Sequence, residues 1–217
     1  YKIKEIKNFE GFEAIAIHNN NIFLTVESSP KKMVGYIVKG EIDEVNRIIT
    51  FPENNIVKIK PPNYIPNACF ESLTLKNDTL VVFYEANGKN VNKNPVALLY
   101  DLDLNLLKHI PIPSLEYRIT DASVISNNCF YILNNFWSGD EKFYKPAADI
   151  FFKKFGLPKN MKDTKDVKRI LKLRFTKDKI ITTNEIPTYI ELAPAEQSYN
   201  WEGLVTLTVP SSPVPYT

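Results

Sequence analysis

Two short apolar runs separated by a polar turn recur along the chain at matched positions. In the first copy AIAI (14–17) and IFLTV (22–26) flank HNNN. In the second, SLTL (72–75) and LVVFY (80–84) flank KNDT; in the third, ASVI (122–125) and CFYIL (129–133) flank SNN. Apolar runs this short, bounded by turn residues, predict strands, and each pair predicts a hairpin. An acid opens every copy: Glu13, Glu71 and Asp121. Glu27 and Glu85 close the first two, and Asn135 closes the third. WEGLVTL (201–207) begins a fourth copy and puts Glu202 in the same slot.

Further strands are predicted at 34–38 and 56–59, at 97–102 and 106–110, and at 170–175 and 179–183, about four per copy. The opening acids lie 58, 50 and 81 residues apart, and the longest interval accommodates an insertion at 138–167 with a short helix near 147–155. This pattern predicts an all-β chain forming one domain over 1–217, a β-propeller of four-stranded blades. Residues 14–17 are apolar on both faces and 22–26 nearly so, as expected of sheets covered on both sides. Small residues at Ala14, Ala16, Ser72, Ala122 and Ser123 suit first strands crowded near an axis. A β-sandwich with imperfect repeats is the alternative. The fourth copy shows only its first strand, and the tail beyond it contains Pro210, Pro213 and Pro215. The ring is therefore expected to be longer than this chain or to close through an irregular last blade, with residues 2–6 as an outer strand.

Centring the first hairpin on Asn20 sets Glu13 opposite Glu27, and the second copy likewise sets Glu71 opposite Glu85. Like charges facing each other across a strand pair are destabilising unless something neutralises them. Parallel first strands would gather Glu13, Glu71, Asp121 and Glu202 around one channel mouth, with Glu27 and Glu85 behind. No ring of Arg or Lys recurs in register with them. An oxygen-rich, thiol-free set fits a hard cation, calcium. In a second reading the acids accept backbone N–H groups of the neighbouring blade and lock the ring. Lys89, Lys93, Trp137 and Arg118 fall at the same end, where Trp137 could stack on a small-molecule or protein ligand and the cations meet its anionic groups.

FEAIAI with Glu27, FESLTL with Glu85, TDASVI with Asn135, and WEGLVTL resemble the signatures of phytase-like propellers, labelled "esterase-like activity of phytase", and of related bacterial propellers labelled SdiA-regulated. The resemblance implies a secreted or periplasmic, calcium-binding propeller in a ligand-binding or structural role, or alternatively a calcium-dependent phosphoesterase or esterase. Family members often follow the second acid with Arg. Here Ser28, Ala86 and Phe136 occupy that position.

Composition narrows the choices further. Of 217 residues, 44% are apolar and 24% charged, as in soluble globular proteins, and a net charge of +2 gives no electrostatic case for nucleic acid. No apolar run approaches the roughly 20 residues of a membrane span. The chain starts at Tyr1 without a visible signal peptide, which suggests a removed leader or a fragment. Nucleophile-elbow, zinc-protease, P-loop and dinucleotide motifs are absent. His18 and His109, the two histidines, are expected in a turn and an outer strand, without a catalytic partner. Cys69 and Cys129 fall at opposite ends of a blade, which predicts two free, largely buried thiols. Asn77-Asp78-Thr79 is a glycosylation sequon in a predicted turn.

Overall fold

The computed structural model describes residues 6–126, 128–157, 166–191 and 201–207. The tail at 208–217 and all but Ile6 of the strand expected at 2–6 lie outside them. The described chain is mostly β, in three antiparallel sheets that follow one another along the sequence. The first sheet runs β1 (Phe9–His18), β2 (Asn21–Ser28), β3 (Val34–Asp43), with β4 (Ile48–Thr50) and β5 (Ile56–Ile59) both on the outer edge of β3. The second runs β6 (Ser72–Lys76), β7 (Thr79–Phe83), β8 (Val96–Tyr100), β9 (Leu106–Pro111). The third runs β10 (Arg118–Ser126), β11 (Cys129–Phe136), β12 (Val167–Phe175), with β13 (Ile180–Thr182) and β14 (Thr188–Tyr189) on β12. In the outer two sheets the fourth strand is thus split into two pieces. No helix among the described residues is long and apolar enough to cross a membrane.

The hairpins form where the apolar runs meet two-residue turns. Asn19 and Asn77 hold equivalent corners, each at φ 52°, a left-handed conformation that asparagine tolerates better than most residues. Apolar continuity has a direct packing reason. In the second sheet Leu80 and Val82 face the core shared with the first sheet, through Phe23 and Ile37. Val81 and Phe83 face the core shared with the third, through Phe130 and Ile132. Alternate residues of one strand serve opposite faces, so β7 is apolar at every inner position. Three sheets packed in succession are not the two of a sandwich.

First strands of successive sheets are neighbours: β1 beside β6, and β6 beside β10. Residues 201–207 continue the series beside β10. Thr120 Oγ1 donates to the Trp201 carbonyl at 2.7 Å, Leu204 N–H to Asp121 Oδ2 at 2.7 Å, and Thr206 N–H to Ser123 Oγ at 2.8 Å. The partners advance in the same direction, so the two segments run parallel.

One expectation fails on β1. Ile15 and Ile17, predicted to be covered, are 58% and 55% exposed. Sheet one packs its other face on sheet two; on this face Ile6, Phe9 and Phe51 pack with Ile22, Leu24, Val26 and Val38 of β2 and β3, and the end of β1 stays exposed. Close approach elsewhere is set by glycine: a Cβ on Gly35 would lie 2.7 Å from the Phe70 ring and 3.1 Å from Cys69 Sγ. Gly35→Ala is expected to lower stability by about 1–3 kcal/mol through overpacking, measured as a shift in the urea midpoint at unchanged slope.

Candidate functional site

The acids at the hairpin ends converge, but not by facing each other across the ladder. β1 is bulged: Phe12 pairs with Val26 and Ala14 with Thr25, leaving Glu13 as the extra residue. Glu27 therefore sits opposite Gly11, not Glu13. A bulge re-aims the side chain it carries, and Gly11 leaves the room, since a Cβ there would lie 2.7 Å from Glu13 Oε1. In the second hairpin the ladder ends at Ser72 and Phe83. Glu85 instead donates its N–H to the Cys69 carbonyl at 2.9 Å and accepts from Ile119 N–H at 3.0 Å, bridging to β10. In the third, a shift at Thr120 sets Asp121 against Leu133, and Arg118 against Asn135.

Arg118 is the centre of the arrangement. Expected at a ligand-facing rim, it is buried as the first residue of β10. Its Nη2 donates to Glu71 Oε1 at 2.7 Å, and its Nε lies against Glu85 Oε1. Tyr144 Oη donates to the same Glu85 oxygen at 2.7 Å. Glu85 is fully buried, and Glu27 and Glu71 nearly so. Glu27 Oε1, Glu71 Oε2 and Glu85 Oε2 are all buried without a hydrogen-bond partner among the described residues. Three buried carboxyls thus share one guanidinium.

The electrostatics follow from that ratio. Burial, reinforced by Glu13 and Glu85, pushes the Glu27 carboxyl up to about 8. Burial and Glu85 raise Glu71 against the opposing pull of Arg118. Burial raises Glu85 as well, with Arg118 working the other way. Half-buried Glu13 is raised by burial and then by Glu202. The last acid of the series therefore lies close to the first, although Glu202 itself is exposed. Burial disfavours the charge of Arg118, but Glu85 and Glu71 outweigh it and hold the guanidinium protonated.

Asp121 stands apart from this group. Burial lifts its carboxyl to about 6, while the N–H groups of Leu204 and Ala122, each at 2.7 Å, work to lower it. Leu204 belongs to the neighbouring segment, so Asp121 joins that segment to β10. Asn135, in the third copy's acid slot, accepts from buried Lys168. Lys89 and Lys93 stand exposed in the loop between β7 and β8, and Trp137 is exposed beyond β11, its indole lying over Gly139. His18 ends β1 with Nε2 3.5 Å from Asp78, and His109 is exposed on β9. Both cysteines are free; Cys69 is buried, whereas Cys129 is only partly so.

Tyr144 reaches Glu85 because the segment between β11 and β12 is anchored. It contains a short 3-10 turn, α1 (Glu141–Tyr144) and α2 (Ile150–Phe155). Asp149 caps α2 by accepting Phe151 and Phe152 N–H, and pairs in a fork with Arg169 of β12 at 2.9 and 2.7 Å. The Arg169 guanidinium also donates to Asn134 and lies against the rings of Tyr117, Phe151 and Phe152. Glu116 takes the Ala147 N–H at 2.8 Å.

Among the described residues no three acid, histidine or cysteine side chains stand in ligating geometry for a metal. No protein-family model and no curated protein matches the chain.

Two outcomes follow. Arg118→Leu would leave buried acids without their counter-ion and is expected to cost about 3–5 kcal/mol, read by urea denaturation near neutral pH. The second concerns pH. Glu27 binds its proton more tightly folded (about 8) than at the ordinary value of 4.5. Its linkage lowers stability as pH rises through that window and adds no slope above it. In calcium-free buffer the urea midpoint should fall from pH 5 to pH 8, and Glu27→Gln should make that fall shallower.

Proposed function

We propose that the chain is a β-propeller-type protein whose acid cluster around Arg118 takes a calcium ion, in a ligand-binding or structural role. The observation that carries this reading is the set of three buried carboxylate oxygens without partners, on Glu27, Glu71 and Glu85, beside a single guanidinium. Buried anions need protons or a cation. Hard carboxylate oxygens suit calcium, and Glu13 and Glu202 add negative charge at the edge of the cluster. Neighbouring first strands, with 201–207 parallel to β10, and sheets packed in chain order support blades around an axis, in keeping with the resemblance to phytase-like propellers. A secreted or periplasmic setting is part of the same proposal and rests on that resemblance alone.

Because the acids do not form a ready shell, binding requires side-chain rotation and loss of the Glu27 proton. Affinity should therefore rise with pH up to about 8. Ester or phosphoester hydrolysis has less support: Arg118 is engaged by Glu71 and Glu85, while Lys89 and Lys93 stand in an exposed loop.

The test is calorimetric titration with calcium at pH 8, paired with thermal melts. Saturable binding and a rise in melting temperature are expected, with stabilisation of about 2.7 kcal/mol at a hundredfold excess over the dissociation constant. Glu27→Gln and Glu71→Gln should each weaken binding. The absence of both heat and thermal shift in the wild-type protein at millimolar calcium would overturn the reading.

A further inference from the structure

A well-formed cleft lies away from the acid cluster. It opens between the start of β3, the end of β5 and the loop that follows. Its volume is about 590 Å³, in the range of small-molecule sites. Met33, Val34, Pro61, Pro62 and Tyr64 supply an apolar floor and wall, and Lys32, Lys58 and Lys60 supply charge. No acid lines it, and none of these three lysines forms an ion pair among the described residues.

We propose that this cleft binds a small amphipathic acid, with a flat aromatic or short aliphatic body against the apolar wall and a carboxylate among the three lysines. The alternation of the strands keeps the two functions separate. Lys58 and Lys60 are exposed, while Ile59 between them is buried in the core. The two ammonium stems therefore leave the same face of the strand end. Met33 is buried at the cleft's base, and Tyr64 remains 58% exposed. An exposed aromatic ring beside unpaired cations offers a stacking surface next to a charge site.

The wall is preformed. Pro61 and Pro62 restrict the backbone of the loop. Asn63 anchors it by donating its side-chain N–H to the Val91 carbonyl, and Ile65 enters the core shared with sheet two. Little ordering remains for a ligand to impose, which favours binding. The lysines do not act as a phosphate cradle: nothing in the lining supplies a guanidinium fork, and Pro61 and Pro62 have no backbone N–H to give. A carboxylate on an apolar body matches what is present.

The probe is 2-naphthoate, followed by its fluorescence in titrations with calcium chelated, so that the result is independent of the acid cluster. Saturable one-site binding is expected, weakening as salt is raised. The double variant Lys58→Gln/Lys60→Gln should weaken it about tenfold, since each exposed charge contact contributes a factor of roughly three. Tyr64→Ala should also weaken it, and Lys108→Gln, outside the cleft, should leave it unchanged. All four positions are exposed, and melting temperatures check that the variants fold. Absence of saturation would overturn the proposal, as would equal effects of the double variant and Lys108→Gln. Binding of neutral 2-naphthol as tightly as 2-naphthoate would also overturn it.

Discussion

The arrangement depends on the pairing of Arg118 with Glu71 and Glu85. A guanidinium presents its donors in a rigid planar fork, and here that fork reaches acids from the two ends of one hairpin while its own backbone starts the next sheet. Sheets two and three are thereby tied by charge as well as by the Phe83–Phe130 contact between them. One positive charge does not satisfy three buried carboxyls. The remainder is met by protons at low pH, and on the reading proposed above by a cation at higher pH. The same surplus of negative charge thus sets the pH response of the fold.

A second buried pair, Arg169 with Asp149, acts on the first through the chain that joins them. Its guanidinium is sandwiched by aromatic rings and fully buried, so the desolvation of both charges is compensated by fork geometry, Asn134 and the rings. That clamp holds the segment carrying α1 and α2 on the third sheet. The Tyr144 hydroxyl then reaches a Glu85 oxygen already shared with Arg118. The segment between β11 and β12 is thus part of the site's wall, with its position set by charge and aromatic packing.

Much of the architecture was legible in order. Apolar runs of four or five residues around Asn-rich turns marked the three leading hairpins, because side-chain alternation and turn preference are local properties. The same grammar pointed to Glu13, Glu27, Glu71, Glu85 and Glu202, which the structure draws into one electrostatic neighbourhood around Arg118. The register did not follow. Glu13 and Thr120 are bulge residues, and nothing local to either distinguishes an extra residue from a regular one. Exposure of Ile15 and Ile17 was also hidden, since covering a face requires a partner sheet that no strand sequence specifies by itself.

What the sequence determined by itself was periodicity: strands, turns and the recurrence of acids at hairpin ends, all encoded over a few residues. What only the tertiary structure decided was neutralisation. The counter-ion for Glu85 comes from Arg118, 33 positions later in the chain, and its hydroxyl partner from Tyr144 within a helical segment. Charges find partners by distance through space, and in a low-dielectric interior that distance sets which carboxyls keep their protons. Spacing along the chain carries no such information once the partner lies on another sheet.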